Sequence, residues 1–148
     1  MTAAPAAAAR RPWSTTVGIR FSHCDPAGIV YIASHFDILN GVMEDWFVEA
    51  LGIDYHQVVG ARRTGLGYAH AACDFASPAR MGDRLVYGVV VERVGTKSIS
   101  VRIVATKGAT VVLTASLVIV TTDLNRGGSV PIPDDIRTAV TAYVERQA

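Results

Sequence analysis

Val17, Ile19 and Phe21 alternate with Thr16, Gly18 and Arg20, a period of two that predicts a first strand over residues 15–21. The period then changes. From Ser34 onward the apolar positions Leu39, Val42, Met43, Trp46, Phe47, Ala50 and Leu51 recur at i, i+3 and i+4. Asp37, Glu44, Asp45 and Glu49 fall largely on the other side, as in a helix with one buried face. Ser34 with Asp37 three residues on resembles a capping box with Asp in place of Glu, and Gly52 is a natural stop. Four further strand patterns follow, over residues 67–75, 84–94, 98–107 and 110–122. Ile99, Val101, Ile103 and Ala105 form one face of the fourth strand, and Val111, Leu113, Ala115, Leu117 and Ile119 one face of the fifth. The turns at Ser77-Pro78, Met81-Gly82-Asp83, Gly95-Thr96 and Lys107-Gly108 are short enough for antiparallel neighbours. Pro131 and Pro133 then lead into an amphipathic helix over residues 134–146, with Ile136, Val140 and Tyr143 inward.

Strand, long helix and four antiparallel strands give an α+β chain in which a five-stranded antiparallel sheet wraps one apolar helix. A single sheet of this kind leaves an outer side and edges open, which favours pairing with a second copy as a homodimer or homotetramer. Residues 1–14 are read as a disordered tail, because the Ala-rich start ends in Arg10-Arg11 without the apolar stretch of a secretory signal. Residues 15–148 form one domain. The chain has 148 residues, half of them hydrophobic, enough to bury a core. A net charge of +1 argues against a nucleic-acid partner that binds by broad electrostatics. No apolar run approaches the roughly 20 residues needed to span a membrane. Cys24 and Cys73 lack CxxC spacing, which suggests reduced thiols and a cytoplasmic setting. The four histidines show no metal-binding spacing, and neither a metal nor a cofactor is expected.

The chemistry concentrates in His23-Cys24-Asp25-Pro26-Ala27-Gly28, a turn-rich run between the first strand and the long helix. Asp before Pro commonly caps its own turn. A carboxylate just ahead of a helix N-terminus also places a base or nucleophile beside unpaired backbone donors. Cys24 with His23 is a nucleophile and base on paper. Adjacent residues of an extended chain point to opposite faces, however, so His23 is not placed to activate Cys24.

The longer run Arg20-Phe21-Ser22-His23-Cys24-Asp25-Pro26-Ala27-Gly28-Ile29-Val30-Tyr31 resembles the signature of the 4-hydroxybenzoyl-CoA thioesterase family of hotdog-fold proteins, closest to the pseudomonad type. The likeness spans about residues 15–135, including Cys73-Asp74-Phe75-Ala76-Ser77-Pro78-Ala79-Arg80 and the Gly82-Asp83 turn. It implies a hotdog fold and hydrolysis of an aromatic, 4-hydroxybenzoyl-like acyl-CoA to free acid and CoA. By that resemblance Asp25 is the nucleophile or general base, and the Ile32 N–H, with Tyr31 as neighbour, is the oxyanion donor. Lys97 aligns best with a family contact to the CoA nucleotide; Arg126 is a weaker candidate, as are Arg80 and Arg84. The chain departs from the family at Ile32, where His or an aromatic residue is common. It departs again at Ser34-His35, which stand for Asn-Tyr and bear on the acyl pocket. A short-chain aliphatic acyl-CoA thioesterase and a non-catalytic acyl-CoA binding module are the competing readings. A dehydratase would need a positioned His with a second acid–base group at this turn.

Overall fold

The computed structural model describes residues 12–147, in which five antiparallel strands form one sheet in the order β1-β3-β4-β5-β2. The strands are β1 (Ser14–Gly18), β2 (Thr64–Phe75), β3 (Arg84–Val94), β4 (Ser98–Lys107) and β5 (Thr110–Asp123). Alternation decides the buried face: Leu85, Tyr87 and Val89 of β3, Ile99, Ile103 and Ala105 of β4, and Leu113, Ala115 and Ile119 of β5 are sealed from solvent. Against that face lies α1 (Ile32–Asp45), which buries Leu39, Val42 and Met43. Trp46 and Phe47 continue it into a π-helical turn, Trp46–Ala50, and both are wholly buried. Truncating either ring to Ala costs about 3–5 kcal/mol. This is the helix-against-sheet arrangement the sequence pattern predicts, and the hotdog fold that the family resemblance implies.

Helix α3 (Asp134–Gln147) joins the same core through Ile136, Val140 and Tyr143, with the Tyr143 ring set edge-on to Trp46 at 5.3 Å. It also completes the outer edge of β3. The Trp13 carbonyl accepts from Val89 N, the Tyr143 hydroxyl donates to the Val89 carbonyl, and the Gln147 amide spans Val91 at 2.9 and 2.7 Å. The opposite edge of the sheet, β2, has no such cover among the described residues. Its residues from Gly67 to Ala72 are all exposed.

Several boundaries differ from the sequence pattern. Strand β1 ends at Gly18, and Phe21 turns outward in a 3-10 turn (Phe21–His23) with 81% of its surface exposed. The reason is local: the Arg20 N–H donates to His23 Nδ1, which folds the chain before Phe21 can join the strand. The expected tail of residues 1–14 lies mostly outside the described residues; within them Ser14 already pairs with Gly88. The helix begins at Ile32 rather than Ser34, with Tyr31 as N-cap and no capping side chain. Ser34 instead sits inside the first turn, and its N–H donates to the Tyr31 carbonyl. The helix expected to run to Leu51 is a 14-residue α-helix finished by the π turn, with Gly52 at φ +66° where the chain leaves it. A short helix, α2 (Tyr55–Val59), capped by Asp54, was not part of the pattern. Strand β2 begins three residues early, at Thr64.

Candidate active site

Asp25 opens a tight turn in which the Gly28 N–H donates to the Asp25 carbonyl at 2.9 Å. Pro26 at the second position suits that turn, and Gly28 takes φ +82°, which a residue with a Cβ adopts only under strain. The turn closes a miniature hairpin. Asp25 N–H donates to Ile29 O, Cys24 bridges Val30, and Tyr31 N–H donates to His23 O. The hairpin is then strapped to the segment after β2, with Val30 N–H on Ala79 O at 2.9 Å and Ile29 bridging Arg80. These bonds position the start of α1. They also explain why the helix begins where it does.

Half-buried Asp25 has one carboxylate oxygen engaged, Oδ1 accepting the Ala27 N–H at 2.9 Å. This is the turn-capping role, and it leaves Oδ2 without a partner among the described residues. Of the donors at the helix start, the Tyr31 N–H is already used by His23 O. The N–H groups of Ile32 and Ala33 have no acceptor among the described residues. The Ile32 N–H is therefore free, its free neighbour is Ala33, and the N–H of Tyr31, the neighbour named with it from the sequence, is taken. The two free groups lie at the positive end of the helix, where developing negative charge is best held.

Beside this N-terminus opens a cleft of about 320 Å³, at the low end of the roughly 300–1,000 Å³ usual for small-molecule sites. Ile29, Val30, Ile32 and His35 form one wall and residues 75–79, from Phe75 to Ala79, the other. Asp25 is not in the lining; it stands one hydrogen bond behind Ile29. His35 is buried, and its ring lies 5.1 Å from that of Phe75. Burial, with a smaller electrostatic contribution from His23, lowers its pKa and so favours the neutral imidazole. The sequence carried a signal for that burial: residues 35, 39, 42 and 46 fall on one helical stripe.

The cationic candidates separate. Arg80 and Arg84 are exposed at the Asp25 end of the sheet. Lys97 lies in the turn between β3 and β4, and its carbonyl accepts the Thr121 N–H. Arg126 is in the loop after β5, its N–H on Asp123 Oδ1 at 3.1 Å. Both are at the far end of the strands, roughly 33 Å away along the ten residues of β4. One chain does not bring Asp25 and Lys97 together.

Neither cysteine competes with Asp25. The Cys24 thiol donates to Arg20 O at 3.6 Å, while the His23 Nδ1 is taken by the Arg20 N–H. Cys73 is half-buried against the core, and burial pushes its thiol up to about 11, far from a thiolate at neutral pH.

The pattern that defines the thioesterase-like superfamily matches residues 19–140. A 1,4-dihydroxy-2-naphthoyl-CoA hydrolase from Nostoc punctiforme is 26% identical over 118 residues, which cover 80% of this chain and 79% of that protein. Among solved structures, a gentisyl-coenzyme A thioesterase superposes with a TM-score of 0.79 at 20% identity, covering 86% of this chain and 98% of the other. A 4-hydroxybenzoyl-CoA thioesterase, in an aspartate-to-asparagine variant complexed with 4-hydroxybenzoyl-CoA, gives 0.77 at 23% identity, covering 87% and 98%.

Proposed function

The chain belongs to the thioesterase-like superfamily and is a thioester hydrolase, and from that premise we propose that it hydrolyses the coenzyme A thioester of a hydroxylated aromatic acid, with Asp25 as the reacting carboxylate. The observation that carries the reading is the hairpin that ties a half-free Asp25 carboxylate, through Ile29, to an apolar cleft lined by Ile32 and Phe75 at a helix start whose Ile32 and Ala33 N–H groups are unpaired. The substrate class is supported by relatives named for 1,4-dihydroxy-2-naphthoyl-, gentisyl- and 4-hydroxybenzoyl-CoA, which share a hydroxylated ring.

The thioester carbonyl lies against the N-terminus of α1, its oxygen on the Ile32 N–H. Oδ2 of Asp25 attacks the carbonyl carbon, CoA leaves as its thiolate, and water hydrolyses the mixed anhydride. Alternatively Asp25 takes a proton from a water that attacks in its place. Either route yields the carboxylic acid and CoA thiol, and both place negative charge on the carbonyl oxygen in the transition state. The acyl ring occupies the cleft beside Phe75.

The CoA nucleotide needs cations. Arg80 and Arg84 stand at the same end of the chain as Asp25, whereas Lys97 and Arg126 reach it only from another copy. We propose that two copies pair along β2. That edge is open and carries small side chains (Ala69, Ala71 and Ala72) with little charge to prevent association. Antiparallel pairing sets the Thr64 end of one β2 beside the Phe75 end of the other, so each site receives the partner's Lys97 end. A cytoplasmic setting suits the two free thiols. No helix among the described residues is long and apolar enough to cross a membrane.

Hydrolysis is read by release of free thiol from a panel of 4-hydroxybenzoyl-, gentisyl-, 1,4-dihydroxy-2-naphthoyl- and short-chain aliphatic CoA esters. The expected result is preference for the hydroxylated aryl esters, and a fall in kcat of at least about a hundredfold in Asp25→Asn with the fold intact. Preference for aliphatic esters would replace the substrate class. Binding of CoA esters without thiol release, seen by calorimetry, would make the chain a binding module. Full activity of Asp25→Asn would sink the mechanism.

A further inference from the structure

His35 is 5% exposed, and no ring nitrogen of it has a hydrogen-bond partner among the described residues. Its Nδ1 is sealed from solvent as well as unpaired, whereas Nε2 is unpaired without being sealed and is the nitrogen a ligand in the cleft can reach. A neutral imidazole carries one donor and one acceptor, and burying either without a partner is costly. Leu or Phe would fill this place on the apolar stripe of α1 without that cost. The surroundings say what a polar atom is for here. His35 stands in the first turn of α1, lines the cleft together with Ile32 and Phe75, and meets the Phe75 ring at 5.1 Å and 41°. Phe75 remains 45% exposed, so it offers a ring face to whatever enters.

We propose that His35 is the specificity-determining residue of the acyl site: a ring nitrogen hydrogen-bonds a hydroxyl on the aromatic ring of the substrate while Phe75 holds the face of that ring. The proposal rests on the reading of this cleft as an aryl-CoA ester site. It goes beyond that reading by saying which side chain tells a hydroxylated ring from a bare one. A bare ring seated against Nε2 displaces water without replacing its hydrogen bond, so the site disfavours a substrate that leaves this nitrogen unpaired. The hydroxylated ring satisfies the imidazole and seats the carbonyl.

The test compares kcat/KM for the ortho-, meta- and para-hydroxybenzoyl esters of CoA with that for benzoyl-CoA. In the unaltered protein at least one hydroxylated isomer is expected to be favoured about tenfold or more over benzoyl-CoA. In His35→Phe, which keeps a planar ring without a hydrogen-bonding nitrogen, that ratio falls towards one. In His35→Gln, which keeps a donor and an acceptor, a preference for a hydroxylated isomer survives. An undiminished ratio in His35→Phe overturns the proposal, and so does an equal loss on both esters in both variants, since that is what a packing role gives. No isomer preference in the unaltered protein overturns it too. The parent reading fails differently: no aryl-CoA ester is cleaved, or Asp25→Asn retains full turnover.

Discussion

At Ile32 a side chain can be separated from a backbone N–H, which is seldom possible. As the first residue of α1 its amide makes no intrahelical bond. Proline is well tolerated at that position, and Tyr31 before it is already extended at φ −68°, ψ 139°. Ile32→Pro therefore deletes the proposed oxyanion donor while leaving the helix start in place. Ile32→Ala removes the cleft-lining side chain and keeps the donor. The expected outcome is a kcat about 10²–10³ lower in Ile32→Pro than in Ile32→Ala, with closely similar melting temperatures. Equal kcat in the two variants would move the oxyanion site elsewhere, first to the Ala33 N–H. The turn at Asp25-Pro26-Ala27-Gly28 was legible from residue types, because Pro and Gly fix local geometry wherever they stand. The Ile32 N–H was named through the family resemblance, but which neighbour shares its freedom was not legible. Tyr31 loses its N–H to the His23 carbonyl in the miniature hairpin, a pairing eight residues apart that residue types alone do not record.

The elements show the same division. Strands β3, β4 and β5 were legible because they are central, with one face buried, and alternation is what such a strand requires. Strand β2 sits at the open edge and exposes residues 67–72 on both faces, so its side chains carry no pattern that fixes its start. At the helix end the 3.6 period placed Trp46 and Phe47 inward, and both are buried; what it does not foresee is the change of winding to a π turn over Trp46–Ala50. At Gly65 the pattern hid a close approach. A Cβ there would stand 2.1 Å from Thr122 Oγ1 and 3.0 Å from Leu124, where β2 pairs with β5. Glycine is demanded by contact, not by the torsion angle. Gly65→Ala is expected to destabilise the fold by about 1–3 kcal/mol in urea unfolding. Adding Thr122→Ala should recover a large part of that loss. No recovery in the double variant would place the clash at the Leu124 side chain rather than at the Thr122 hydroxyl.

For the whole molecule the decisive fact is how the two edge strands of the sheet, β1 and β2, differ. β1 is only five residues long, and beyond its end the Trp13 carbonyl, Tyr143 and Gln147 take up the β3 hydrogen-bonding groups that a further strand would otherwise use. The β2 edge is left to small, largely uncharged residues. One chain also holds Asp25 and Lys97 at opposite ends of its strands, so the proposed dimer is a chemical requirement if Lys97 or Arg126 contacts CoA at the site of Asp25. Complementation tests this directly. Asp25→Asn alone lacks the reacting carboxylate in both sites of a dimer. The double variant Lys97→Ala/Arg126→Ala alone keeps the carboxylate but lacks those cations, and is expected to show a raised KM for the CoA ester. In a mixed dimer one site has Asp25 from one chain with Lys97 and Arg126 from the other, while the second site lacks both. Equal mixing and subunit exchange makes about half the dimers mixed, so about a quarter of all sites are complete. Assayed at an ester concentration near the unaltered KM, the mixture should regain a low-KM component of about that size, absent from either parent. An unchanged KM in the double variant removes these residues from the CoA site. A raised KM without recovery on mixing places all the contacts within one chain and dissolves the case for a shared site.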